Sequence, residues 1–127
     1  MGLDLTIAIE QWPSLTEHGF LAHNRLSFER DYAVFEMIAD KGRSDEPVKR
    51  VCDPKLCDFK VEWYEDEGID EDAKTDPHGN PLTYVTAGEM SKIPLDICTM
   101  GDVEYNKAIL QFMRALPPTT KIILWWH

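Results

Sequence analysis

The residues best equipped for chemistry lie between Glu65 and Asp76, where seven acids and one lysine fall within twelve positions. Asp66, Glu67, Asp70, Glu71, Asp72 and Asp76 supply the carboxylate oxygens that a hard cation takes as ligands. A calcium loop of the EF-hand type started at Asp70 needs glycine at its sixth position and glutamate at its twelfth. This chain has Thr75 and Pro81 there. The run reads instead as a solvated, self-repelling loop whose negative potential suits a basic protein partner.

Cys52 and Cys57 enclose four residues, the outer limit of zinc-ligand spacing. No second tight pair of Cys or His completes a ligand set, because Cys98, His78 and His127 are scattered. Buried thiols are the better reading, and Cys52, Cys57, Asp70 and Asp72 are the residues a metal would use. Cys98 acts as a nucleophile only if the fold brings a histidine beside it. His18 and His23 make no chelate: on a helix they are separated around the axis, and on a strand they face opposite sides. Trp125 and Trp126 are adjacent, so on a strand one indole enters the core and the other lies on the opposite face. There it is exposed or covered by a partner, as an interface anchor would be. Phosphate-binding, dinucleotide-binding, zinc-protease and serine-hydrolase signatures are absent from the chain.

The elements that must position these groups follow from patterning. Leu3, Leu5, Ile7 and Ile9 alternate with polar or small residues, a strand with one apolar face that ends before Pro13. A second strand is expected over 20–26. Ser27 then caps a helix carrying the stripe Phe28, Tyr32, Phe35 and Ala39, with Gly42 as its terminator. Residues 43–58 read as irregular. Phe59, Val61 and Trp63 share one face of a strand expected to pair with a return strand over 82–85 across the acidic loop. Thr86-Ala-Gly-Glu89 matches a capping box opening a short helix that ends before Pro94.

Thr99 or Asp102 starts the last helix, with Tyr105, Ala108, Ile109, Phe112, Met113 and Leu116 on its apolar face. Pro117 and Pro118 stop it, lacking backbone donors. The apolar run 121–126 is then a strand. The predicted fold is a single α+β domain over residues 1–127. A single-layer, mostly antiparallel sheet of four or five strands carries two main helices on one face, with the N- and C-terminal strands adjacent.

The 127 residues, 43% apolar, suffice for one domain that buries roughly two-thirds of its unfolded surface. The net charge of −10 disfavours nucleic-acid binding through phosphate neutralisation and binding to anionic membranes. Three cysteines without a secretory signal suggest free thiols in the cytoplasm, and no apolar stretch approaches bilayer length.

The opening Met-Gly-Leu-Asp-Leu-Thr-Ile and the closing Ala-Leu-Pro-Pro-Thr-Thr-Lys-Ile-Ile-Leu-Trp-Trp-His resemble the ends of small uncharacterised proteins carried by phages and prophages. That resemblance implies an accessory or host-interaction role, including inhibition of nucleic-acid-handling machinery. The leading expectation is a non-enzymatic, acidic protein-interaction module without a cofactor. It uses Asp66, Glu67, Asp70, Glu71 and Asp72 for steering and Trp125 or Trp126 as anchor. The alternatives are a small metal-assisted or thiol-based enzyme and a self-associating structural protein, such as a homodimer.

Overall fold

The computed structural model describes residues 2–10, 20–22, 24–39, 50–65, 68–70 and 72–127. Its strands are β1 (Leu5–Ile9), β2 (Phe20–Ala22), β3 (Asn24–Ser27), β4 (Lys55–Leu56), β5 (Val61–Glu65), β6 (Gly68–Asp70), β7 (Thr83–Thr86) and β8 (Lys121–Trp126). Its α-helices are α1 (Tyr32–Ala39), α2 (Ala87–Met90) and α3 (Val103–Ala115), with a 3₁₀ turn at Leu95–Ile97.

Five strands form an antiparallel sheet in the order β3-β1-β8-β7-β4. The first and last strands lie side by side, Leu5 opposite Trp126 and Ile9 opposite Ile122. Alternation along them sorts side chains between two cores. Leu5, Ile7, Ile9, Ile122, Leu124 and Trp126 face the helices, joined there by Phe35 and Ile38 of α1 and Ile109, Leu110 and Met113 of α3. Ala8 and Ile123 face the other way. The α+β reading holds, with helices on one face of the sheet. The opposite face is covered by a second, three-stranded sheet, β2-β5-β6, whose Val61 and Trp63 pack on Ala8 and Ile123.

That second sheet changes two strand assignments. The stretch 20–26 is not one strand: β2 pairs in parallel with β5, while β3 pairs with β1. Nor do 59–64 and 82–85 form a pair. β5 turns back within the acidic run onto β6, and β7 inserts between β8 and β4. Short-range pairing wins here: Glu65 stands opposite Gly68, only three positions on. The acidic run is thus folded over part of its length rather than wholly a loop. Ala73 donates its amide to the Val61 carbonyl at 2.9 Å. Asp76 is buried and accepts the amides of His78 (2.9 Å) and Asn80 (3.1 Å), which organises the Pro-His-Gly-Asn turn.

The capping box forms as expected: Glu89 donates its amide to Thr86 Oγ1, and Thr86 donates its amide to Glu89 Oε1, each at 3.1 Å. Asp102 caps α3 through the Tyr105 amide at 3.0 Å. The capping role expected of Ser27 falls to Asp31. Ser27 ends β3, its hydroxyl 2.8 Å from Thr6 Oγ1. Asp31 Oδ1 accepts the Ala33 amide, while its Oδ2 accepts the amides of Thr99 (2.7 Å) and Met100 (3.1 Å). One buried carboxylate thus starts α1 and ties it to the approach to α3. The expected terminator Gly42 lies outside the described residues. The 43–58 segment, expected to be irregular, contributes the short edge strand β4.

Trp126 is the indole under the helices, 3% exposed and edge-on to Phe35 at 5.3 Å. Trp125 stacks on Trp63 with ring centroids 4.0 Å apart and planes 8° from parallel. We predict that Trp126→Ala lowers unfolding free energy by about 3–5 kcal/mol. Trp125→Ala, which removes a partly exposed ring, costs less. Urea denaturation of both variants checks the order, and equal losses would contradict the two-faced burial.

Candidate interaction surfaces

The thiols are placed apart. Cys52 belongs to the helix-side core, whereas Cys57 packs against the core on the other face of the sheet. The Cys-x4-Cys pair therefore does not converge on a shared ligand site. Among the described residues no three His, Cys, Asp or Glu side chains are grouped to hold a metal ion. Burial pushes the Cys52 thiol from its ordinary 9.0 up to about 12, with the Glu89 carboxylate adding to the effect. Burial and Asp58 raise Cys57 to about 12. Cys98 is raised by burial and then by the Asp31 charge. A thiol held neutral in this way is a poor nucleophile at neutral pH.

Of the carboxylates singled out from sequence, Asp66, Glu67 and Glu71 lie outside the described residues, as do His18 and His23. Asp70 and Asp72 are exposed on and just beyond β6. Asp70 Oδ1 accepts the Asp72 amide at 3.2 Å, and Asp72 reaches Lys74 Nζ at 3.1 Å. β6 is the edge of the second sheet and is exposed at all three positions, with Ile69 54% accessible. Carboxylates and one aliphatic side chain therefore stand on a backbone fixed by β5. Neither tryptophan is presented as a bare anchor: Trp126 is buried, and Trp125 is covered by Trp63 of the same chain. The Arg25 guanidinium lies over the Trp63 ring at 5.2 Å, extending the stack toward β3.

A second surface lies on the helix side, where α3 is rotated from the orientation its apolar pattern suggests. Asn106, Ile109, Leu110 and Met113 are its buried residues. Tyr105 and Phe112, expected in the core, are 42% and 44% exposed, and Ala108 is exposed between them. The cause is Asn106. Its Oδ1 accepts the Glu29 amide and its Nδ2 donates to the Glu29 carbonyl, each at 2.9 Å, so the side chain satisfies both backbone groups of one residue. Holding Asn106 inward turns the 105/108/112 stripe out. With Ile9, Asn24, Arg25, Leu26 and Ile109 this stripe bounds a groove of about 540 Å³ between α3 and the β3 edge. Apolar spacing on α3 gives no sign of it, because a core asparagine is recognised only by the backbone it serves.

At the N-terminal end of the sheet, Arg30 holds Asp4 through two hydrogen bonds of 3.1 and 2.7 Å, and this contact lowers the Asp4 pKa. His127 Nε2 lies 3.0 Å from Thr6 Oγ1. No helix among the described residues is long and apolar enough to cross a membrane. No protein-family model matches the chain, and comparison with curated proteins and with solved structures returned no match.

The raised thiols set a pH dependence. Between 9.0 and about 12 the unfolded chain ionises Cys52 and Cys57 while the native chain keeps them protonated. Stability that is complete below this window is lost as pH rises through it. Thermal unfolding across that range should show the decline, and the double variant Cys52→Ala/Cys57→Ala should flatten it. A wild-type profile as flat as that of the variant would contradict the burial assigned to these thiols.

Proposed function

We propose that the chain is a non-enzymatic, acidic protein-interaction module that engages a basic protein surface in the cytoplasm, in the manner of an accessory or inhibitor protein. The observation that supports this most is the exposed β6 edge. Asp70 and Asp72 project there from an ordered strand and the turn after it, and Ile69, facing the other side of β6, adds an apolar contact at the same edge. Fixing charges on a strand lowers the entropy lost when a partner orders them. The net charge of −10 extends the attraction beyond the contact and repels polyanions such as nucleic acid. Ile69 takes the anchoring part first given to Trp125 and Trp126, which serve the two cores.

A partner bound this way associates fast at low salt and loses affinity as salt screens the charges. Affinity capture from the native host at low and at high salt should recover a basic protein mainly at low salt. Replacing Asp70→Lys and Asp72→Lys should weaken the capture by about two- to fivefold per site, the scale of exposed ion pairs. Capture of the same protein unchanged by both charge reversals would overturn the role of this edge.

A further inference from the structure

We propose that the groove between α3 and β3 receives an extended segment of a partner protein, which adds as a sixth strand to the open β3 edge of the five-stranded sheet. The segment carries apolar residues at alternate positions and a basic residue at the end that lies beside Glu29 and Asp102. This site is distinct from the β6 edge.

The backbone supplies the first part of the argument. In the β1–β3 ladder, Phe28 donates its amide to the Leu5 carbonyl at 3.0 Å, and Leu26 and Asn24 stand opposite Ile7 and Ile9. Hydrogen-bonded pairs alternate in an antiparallel ladder, so Leu26 and Asn24 turn their amides and carbonyls toward β1. Arg25 and Ser27 turn theirs outward. Among the described residues no strand pairs with that side of β3. The outer groups have the spacing that an incoming strand matches.

The far edge of the same sheet, β4, and the β6 edge of the second sheet carry features that discourage pairing. β4 is two residues long, follows Pro54 and includes Lys55. β6 is three residues long and contains Gly68 and Asp70. Short length, proline and charge are the usual guards of a strand edge. β3 is longer, and its one charged side chain, Arg25, is drawn over Trp63 on the far face of the sheet. Its helix-side face opens directly onto Tyr105, Ala108 and Phe112, so alternate side chains of an added strand find apolar cover there.

Charge selects the occupant. Past Ser27 the edge runs to Glu29, which lies against Gly101 and next to the α3 cap Asp102, and Glu104 follows on the same turn. Lys107 meets Glu104 at 3.7 Å, Arg30 is held by Asp4 and Arg25 lies over Trp63, so among the described residues carboxylate potential dominates that end. A segment with a terminal lysine or arginine complements it. A second copy of this chain brings the same carboxylates and a further charge of −10.

The test uses the full chain and two synthetic, end-blocked peptides, Lys-Leu-Thr-Val-Thr-Leu-Lys and the same sequence with glutamate at both ends. Amide hydrogen exchange followed by NMR reads the Arg25 and Ser27 positions. The lysine-ended peptide should slow exchange at both by about tenfold or more at saturation, while the glutamate-ended peptide should bind at least about tenfold more weakly. Arg25→Pro deletes an outward amide without touching the ladder to β1, and Phe112→Ser removes an exposed ring. Each should abolish the protection, read at Ser27 alone in the proline variant, while circular dichroism shows the fold retained. The pair Asp70→Lys/Asp72→Lys should leave peptide binding unchanged, which separates this site from the acidic β6 edge.

Equal affinity for the two peptides, or protection that survives Phe112→Ser, would overturn the proposal. So would protection at Arg25 and Ser27 that rises with protein concentration in the absence of peptide, since the occupant would then be a second copy. Binding lost on Asp70→Lys/Asp72→Lys would place the peptide at β6 and overturn the groove assignment, leaving the reading of the acidic edge to its own capture experiment.

Discussion

The rest of the molecule depends on the pairing of β1 with β8. These two strands occupy the middle of the main sheet, and each is bonded on both edges and covered on both faces. Their register places Ile7 against Leu124 on the helix side and Ala8 against Ile123 on the other. A slip of one residue would exchange the two faces, sending the large Trp126 into the layer shaped for Ala8 and Ile123. The register is therefore pinned by side-chain size as well as by hydrogen bonds. Its outer end is closed by reciprocal bonds between Asp4 and His127, at 2.7 and 2.9 Å.

Two layers are built on that pair by different means. On the helix side, polar side chains aimed at backbone groups set the geometry: Asp31 reaches the amides of Thr99 and Met100, and Asn106 reaches both groups of Glu29. On the other side, aromatic stacking of Trp63 on Trp125, with Arg25 above Trp63, joins the small sheet to the large one. The second sheet buries what would otherwise be a wet face, and its outer edge carries the exposed carboxylates of Asp70 and Asp72. Both candidate surfaces thus arise at margins of layers whose interiors are closed.

Much of this order is legible in the sequence because it rests on local rules. Period-two alternation in 3–9, the Thr86–Glu89 box, Asp102 as cap and the proline stop after Leu116 each act within a few residues, and each is realised. What local rules miss depends on distant partners. Ser27 and Asp31 are both good cap residues; Asp31 takes the role because Thr6 across the ladder engages the Ser27 hydroxyl and two distant amides need an acceptor. Asn106 looks like one polar residue on an amphipathic helix, yet it sets the rotation that opens the groove. The passage from β2 to β3 across residue 23 moves the chain between sheets with no proline or glycine to mark it. The carboxylates of the β6 edge could be named from composition, whereas the groove could not be named at all.

The central place of β8 has a consequence for biosynthesis. The strand that completes the middle of the main sheet is made of residues 121–126, so during translation β1 and β7 emerge with no neighbour between them. Helices α2 and α3 meet an incomplete floor until those residues clear the ribosome exit tunnel. Native pairing then closes contacts more than a hundred positions apart in one late step, as between Thr6 and Trp125. Long-range closure of this kind is slow and leaves strand margins bare meanwhile. The nascent chain thus has its greatest need for chaperone cover in the interval before residues 121–126 join β1 and β7.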